Sequence, residues 1–469
     1  MKKLSPTQSF LLPETATVKA ADACIRGNAP AIVFVTEADG RVIGSVTDGD
    51  ICRFADAGGR LDENIRKCMC STPVTVQNDS SRRDVLRLFD QKILAIPEVD
   101  KAGRLQSVIT SDNYGFPRHR RVMARAKAPV RISFAGGGTD LTHYFKENTG
   151  SVLSTTIQLY GHATLTKRPD RRIVLYSGDF DIREDFESID QILAAALSGR
   201  LGLLKAIIKL LRPAFGFELI TYSDVPPGSG LGGSAAIAAA VIGCFNEFRE
   251  DALSAYEIAE LAFQAERIEL GVQGGWQDQY ASVFGGFNYI EFTDHETLVH
   301  PLRINPATWN ELESNLLICF TGRSRDSGRI HADQKKTFET DRSMSAVMDQ
   351  TKDITQGIKK ALLHGDLDVF ANLLETGWLL KCRYAPSICD SGLADIYQKA
   401  KDGGAVSGKL MGAGGGGFFL FYVTPFNRVR LRQVLAENGL RTETVAFDKA
   451  GLRSWVVRCH TAPEIHVKN

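Results

Sequence analysis

Pro226-Pro227-Gly228-Ser229-Gly230-Leu231-Gly232-Gly233-Ser234-Ala235-Ala236 is the stretch whose reading decides the fold. The residues before it, 217–224, alternate in β-rich types and are predicted to be a strand. Those after it, 235–245, have high helix propensity and no charge. A glycine-rich loop feeding a helix start leaves backbone N–H groups unobstructed at the positive end of the helix dipole, which suits a polyphosphate. Ser234, at the helix entrance, either caps it or offers a hydroxyl to a phosphate-bound metal ion. Gly228-x-Gly230-x-x-Gly233 also matches the dinucleotide-binding fingerprint. That reading fails twice: Pro226-Pro227 forces an extended entry, and residues 246–251 read as helix where a strand ending in an acid is needed.

Outward from this stretch, the 469 residues predict two or three domains, and 43% hydrophobic content is ordinary for a protein with a packed core. Fifty-six basic against 55 acidic side chains leave a net charge of +1, so neither nucleic acid nor a membrane surface is an expected partner. Nine irregularly spaced cysteines fit a reducing cytoplasm better than a disulfide framework. Cys68-Met-Cys70 has no second pair at zinc spacing and reads as a helix-end or loop pair. Met1-Lys-Lys-Leu-Ser-Pro lacks the apolar run of a signal peptide, and the uncharged residues 226–245 hold few large apolar groups. A soluble, cytoplasmic protein is expected.

The first quarter repeats itself. Asp39-Gly-Arg-Val-Ile-Gly-Ser-Val-Thr47 returns 63 residues later as Ala102-Gly-Arg-Leu-Gln-Ser-Val-Ile-Thr110. Residues 18–25 and 81–89 are predicted to be matching short helices, and residues 34–39 and 97–102 matching strand-turns. Each copy ends near Thr-x-x-Asp or Thr-x-x-Asn (Thr47, Asp50; Thr110, Asn113). Two such copies cannot each bury both faces alone, so they are expected to pack as one pseudo-symmetric unit. The basic stretch Pro117-Arg-His-Arg-Arg121 reads as a linker.

Further along, residues 125–134 alternate as a strand that breaks into Ala135-Gly136-Gly137-Gly138-Thr139-Asp140. There the glycines let backbone approach a ligand and Asp140 accepts from hydroxyls, or the turn is ordinary and Asp140 caps a helix. Residues 253–270 predict an amphipathic helix with Ile258, Leu261, Ala262, Ala265 and Ile268 on one face, closed by Gly271. Glu266 lies beside that stripe. In Gly274-Gly275-Trp276-Gln277-Asp278-Gln279-Tyr280 the acid is either poised over a hydroxyl or caps the next helix. Residues 407–422 form a second glycine loop running into an apolar strand. Gly403-x-x-x-x-Gly408-Lys409 imitates a Walker A loop, but Leu410 stands where Ser or Thr must hold the metal, and no helix follows. A P-loop NTPase is excluded.

Together, and in this order, these motifs resemble the GHMP family of small-molecule kinases over residues 124–469. Arg131…Gly136-x-x-Thr-Asp140 is similar to the family's first motif, residues 226–236 to its second and residues 412–417 to its third. Within the family the similarity is greatest to the D-glycero-D-manno-heptose 7-phosphate kinases. It rests on residues 131–140, Val152-Leu-Ser-Thr-Thr-Ile157, residues 274–280 and residues 408–417. Galactokinase has Glu-His where Gly137-Gly138 stand. The front of the chain resembles a cystathionine-β-synthase (CBS) domain pair, a family whose cleft often holds an adenosine ligand.

These resemblances imply an α+β protein. Its expected parts are a CBS pair (1–118), a linker (119–124), a ribosomal-protein-S5-like lobe (125–300) and a ferredoxin-like lobe (301–469) ending in strand-rich residues 442–459. They imply that main-chain groups of Pro227, Gly228, Ser229, Gly230, Leu231, Gly232, Gly233 and Ser234 hold the phosphates of ATP, supported by Gly412, Gly414 and Gly415. Ser234 and Glu266 would hold Mg2+, Asp278 would orient or deprotonate the attacking hydroxyl, and Arg131 would be the cation beside it. Gly137, Gly138, Thr139 and Asp140 would bind the sugar, with Arg325 and Lys381 on a phosphate it already carries; Arg323 and Arg329 are further cations nearby. In the front module Thr47 and Asp50 would hold the regulatory nucleotide, while Asn113 departs from the motif. The pair would serve either to sense an adenosine ligand or to build a homodimer. The implied reaction converts a heptose 7-phosphate to its 1,7-bisphosphate at the anomeric hydroxyl, for surface-polysaccharide precursors. The other readings are a fucose- or hexose-type sugar-1-kinase and a non-catalytic adenine-nucleotide sensor.

Overall fold

The computed structural model describes residues 8–114, 122–324, 327–340 and 343–457. The chain divides into two compact units, Met1–His119 and Arg120–Asn469.

In the first unit, two three-stranded sheets share one plan, with an outer strand parallel to the middle one and a third antiparallel to it. One comprises Leu11–Pro13, Ile32–Thr36 and Val42–Thr47; the other comprises Val76–Gln77, Ala95–Val99 and Leu105–Thr110. Helices Val18–Gly27 and Arg82–Asp90 precede the middle strands, where the repeat predicts them. The register slips between Val35 and Thr36 in one sheet and between Glu98 and Val99 in the other, the same step of the repeat. The two turns meet on a local two-fold. Val42 N–H donates to Gly103 O at 3.1 Å and Leu105 N–H to Gly40 O at 3.0 Å, with Arg41 bridged to Arg104. Phe10, Phe34, Ala95 and Val108 fill the space between the copies, burying the faces that neither covers alone.

The second unit is built on two long antiparallel strands, Met123–Ala135 and Gly150–Lys167, in a nine-stranded sheet. Helix Gly233–Asn246 lies against both. Every residue from Ala235 to Phe245 in it is buried, which explains its lack of charge; a helix apolar all round belongs inside a core. Among the described residues no helix is long and apolar enough to cross a membrane. A second, four-stranded antiparallel sheet has the order Ser407–Leu410, Phe418–Tyr422, Leu316–Phe320, Arg441–Thr444. With helices between its first and second and its third and fourth strands in sequence, it has the ferredoxin-like arrangement.

One expectation is corrected. The last lobe keeps only residues as far as Thr444 of the strand-rich end; Phe447–Asp448 and Arg453–Val457 return to the first lobe's sheet, pairing with Gly150–Lys167 and Met123–Ala135. The cause is packing: Phe447 is buried with its ring 4.8 Å from that of Phe287 and 5.1 Å from that of Trp309. Phe447→Ala therefore removes a contact that clasps the end of the chain to the first lobe, and should lower the unfolding free energy by about 3–5 kcal/mol. Urea unfolding monitored by tryptophan fluorescence measures it.

Candidate active site

A cavity of about 320 Å³ runs along the second unit and gathers most of the motif residues. Its floor is two glycine loops packed main chain to main chain. A Cβ on Gly230 would lie 2.7 Å from Met411 O, and one on Gly412 would lie 2.7 Å from Gly230 Cα, so neither loop admits a side chain there. Phe418 N–H donates to Ser229 O at 3.0 Å across the same seam. Gly232, at φ +78°, caps helix Gly233–Asn246 without a side-chain bond, which leaves the first N–H groups of the helix for a ligand. Ser234 therefore is not the cap; of its two expected uses, the hydroxyl is the one left.

Pro227, Gly228, Ser229, Gly230, Gly232, Gly233 and Ser234 line the cavity, as do Gly412 and Gly414. Leu231 and Gly415 do not, correcting their expected place on the nucleotide. Leu231 is wholly buried, its N–H turned to Ser229 Oγ at 3.4 Å and its carbonyl accepting from Arg131 N–H, while Gly415 N–H is spent on Ile388 O. Gly137, Gly138 and Asp140 also face the cavity. Thr139, expected on the sugar, does not: its buried hydroxyl lies 2.8 Å from Gly136 O and 2.9 Å from Ser151 O and accepts from Ser151 N–H at 3.0 Å, stitching the turn to the neighbouring strand. Asp140 does not cap the helix that follows it, Thr142–Phe145. It accepts from Gly138 N–H at 3.0 Å, Gln277 N–H at 3.2 Å and Gln277 Nε2 at 3.1 Å.

Arg131, 3% exposed, and Asp278, 19% exposed, form an ion pair at 2.7 Å, with a second bond from Nε at 2.8 Å. Arg131 Nη1 donates to Gly230 O at 2.6 Å, so one guanidinium fixes both the first glycine loop and the carboxylate. On the far side, helix Ala255–Phe263 passes into a π-helical turn, Gln264–Glu269. Each residue added to a turn rotates the downstream side chains by about 100°. That corrects the expected stripe: Ile268 swings to the surface, 66% exposed, and Glu266 turns inward. Ser234 Oγ donates to Glu266 Oε1 at 2.5 Å, and Gln279 Nε2 to Oε2 at 2.7 Å. A hydroxyl and a carboxylate meeting beside a glycine loop fit Mg2+, which takes hard oxygens from one or two side chains and completes its shell with phosphate and water.

Lys381 lines the cavity, and a second lysine, Lys409, is buried near it. Lys381, buried, donates to Gly412 O; burial and the charge of Arg131 bring its pKa from 10.5 to about 8, against the pull of Asp140 and Asp278. Lys409, noted in the sequence only as a false Walker lysine, is buried too and donates to Phe134 O at 3.0 Å. Burial first, then Lys381 and Arg131, hold its pKa well below the usual value. Arg323 pairs with Asp390 at 3.1 Å. Arg325 and the side chain of Arg329 lie outside the described residues. No motif pointed to the far arm of the cavity, lined by Asp179, Phe180, Leu201, Leu204 and Val225. It is assembled from a hairpin turn and a helix start that carry no signature of their own. In the first unit, Asp50 accepts from Thr47 N–H at 2.8 Å and Thr47 Oγ1 at 2.6 Å, while its other oxygen takes Arg53.

Comparison with known proteins gives matches to GHMP kinases N terminal domain over residues 202–286 and to GHMP kinases C terminal over residues 358–439. A D-glycero-alpha-D-manno-heptose 7-phosphate kinase from Campylobacter jejuni is 38% identical over 337 residues, 71% of this chain and 98% of that protein. An L-fucokinase/L-fucose-1-P guanylyltransferase from Bacteroides fragilis is 28% identical over 66% of this chain and 36% of its own length. Among solved structures, a D-glycero-D-manno-heptose 1-phosphate kinase from Bacteroides thetaiotaomicron superposes with a TM-score of 0.60 at 30% identity, covering 71% of this chain and 99% of that one. The Methanococcus jannaschii mevalonate kinase, at 19% identity and a TM-score of 0.57 over 71% of this chain and 100% of that one, shares the fold.

The buried lysine generates a pH signature. Between pH 8 and 10.5 the unfolded chain holds the Lys381 proton more tightly than the folded one, so this group makes stability rise with pH across that window. Lys381→Met should remove that part of the slope, read from urea midpoints at pH 7.5, 9 and 10.

Proposed function

Because this chain belongs to the GHMP kinase family and transfers a phosphoryl group from ATP to a sugar hydroxyl, we propose that its acceptor is the anomeric hydroxyl of a heptose 7-phosphate. The observation that carries the sugar-phosphate reading is Lys381, a buried cation in the cavity wall close to Asp140 and Asp278. A cation enclosed there is best matched by a substrate that brings its own anion. The names of the two heptose-kinase relatives set the existing phosphate on different carbons, so both heptose phosphates belong in the assay.

In this reading the apolar arm of Phe180, Leu201, Leu204 and Val225 takes the adenine, and the loop from Pro227 to Ser234 takes the phosphates. Ser234 and Glu266 would hold Mg2+, which supplies charge neutralisation on the triphosphate. Asp140, fixed by three N–H donors, accepts from sugar hydroxyls and sets the ring's orientation. Asp278 Oδ1 is held by Arg131, leaving Oδ2 for the attacking hydroxyl; the same guanidinium lowers the energy of charge building between hydroxyl and phosphoryl. Whether the proton leaves early or late, the pair positions the nucleophile, and phosphoryl transfer asks for little more.

Residues 1–118 are proposed as a CBS pair that reads an adenosine ligand through Thr47 and Asp50. The two-fold repeat of the first unit supports this. The bonds Asp50 already makes within the first turn of its helix assign it a capping role as well.

ADP release with a panel of sugars tests the reaction. Turnover is expected with a heptose phosphate, and Asp278→Asn should lower kcat by about 10²–10³-fold. Turnover only with unphosphorylated fucose or a hexose would replace the heptose reading. For the first unit, AMP or ATP should change kcat/KM in the wild type but not in Asp50→Asn; equal responses in both would remove the regulatory proposal.

A further inference from the structure

Arg267 follows Glu266 in the π-helical turn, and no motif singles it out. Its side chain lines the cavity between two parts of the site: the Glu266–Ser234 pair on one side and Gly275, packed against Asp140, on the other. It is 11% exposed, yet its donors are poorly used. Nη1 reaches Gln273 O at 3.3 Å and Nη2 stands 3.5 Å from Glu266 Oε2. Nε is buried with no hydrogen-bond partner among the described residues. A desolvated guanidinium with idle donors is destabilising until something supplies acceptors. Its flat fork matches the paired oxygens of a phosphoryl group. The chain also clears a seat for it: a Cβ on Gly274 would lie 2.5 Å from Arg267 Cζ and 2.6 Å from Nη1, so the guanidinium rests against a glycine. Without the π turn, neither Glu266 nor Arg267 would keep its place at the cavity.

We infer that Arg267 is a phosphoryl-binding residue of this active site, donating two parallel hydrogen bonds to phosphoryl oxygens. Resting on the proposed phosphotransfer geometry, it adds a contact that reading does not contain. Two sources present the same chemistry there, the phosphoryl in transfer and the phosphate already on the sugar.

The test compares wild type, Arg267→Gln, Arg267→Lys and Gly274→Ala, each as the full chain. The measurements are kcat, KM for ATP, KM for the phosphorylated and unphosphorylated sugar, and Tm. A fall in kcat of about 100-fold on both sugars, with KM values within about threefold, assigns Arg267 to the transferring phosphoryl. A rise of about 100-fold in KM confined to the phosphorylated sugar assigns it to the substrate's phosphate. Arg267→Lys should recover little of either loss, since it restores the charge without the fork. Gly274→Ala should reproduce the loss with Tm within about 2 °C, because the new methyl group displaces a flexible side-chain end and not backbone. Constants within about threefold of wild type in Arg267→Gln overturn the inference; should that variant fail to fold, unchanged constants in Gly274→Ala do so. A wild type active only on another sugar would sink the heptose reading and leave the comparison measurable on that sugar. Were wild type inactive on every sugar, calorimetric titration with inorganic phosphate would still judge Arg267, with binding at least about tenfold weaker in Arg267→Gln expected and equal binding overturning it.

Discussion

A single buried guanidinium ties the catalytic unit together. Arg131 lies near the end of the long strand Met123–Ala135, and its main-chain N–H already grips Leu231 O in the first glycine loop. Its side chain then spans to Gly230 O and to Asp278 at the start of helix Gln277–Phe284. Strand, loop and helix are thereby set relative to one another by one largely buried charged group. A buried ion pair is weak evidence for stability, because desolvation offsets most of its attraction. Its value here is geometric: an Arg131–Asp278 pair in the wrong place would leave a charge unpaired, so few alternative arrangements compete.

Around that pair the site is crowded with like charge. Lys381 and Lys409 lie close enough to Arg131 for its charge to depress both lysine pKa values, and Asp140 and Asp278 offset only part of the effect on Lys381. Arg267 adds a further cation on the opposite wall. Such a cavity is under electrostatic strain while empty of anions, and anionic ligands relieve it.

The glycine loops supply the complementary constraint. Loops that pack main chain to main chain need backbone with nothing in front of it, and here two loops from different lobes meet with no side chain between Gly230 and Gly412. That contact makes the position of one lobe's loop depend on the other's. The return of Phe447–Asp448 and Arg453–Val457 to the first lobe's sheet closes the same link from the far end of the chain.

The local motifs were legible because each depends on residues adjacent in sequence. The first glycine loop and its helix, the turn to Asp140, the second glycine loop and the 63-residue repeat all follow from glycine spacing and period. Asp278 and Glu266 were identifiable as acids in unusual settings, though each kept a plain structural alternative. What periodicity could not carry was rotation and long-range closure. A π turn breaks the 3.6-residue period, so the same reading that predicted the helix put Ile268 inside and gave Arg267 no role. Thr139, Leu231 and Gly415 sit within motifs yet turn their bonds inward, because which member of a loop faces a ligand depends on what packs behind it. The far arm of the cavity and the buried Lys409 join segments far apart in the chain, and only the folded chain, by choosing which faces to bury, could bring them together. Sequence determined the kind of chemistry through short-range backbone freedom and charge; tertiary structure decided which side chains perform it, because burial and distance are properties of the packed whole.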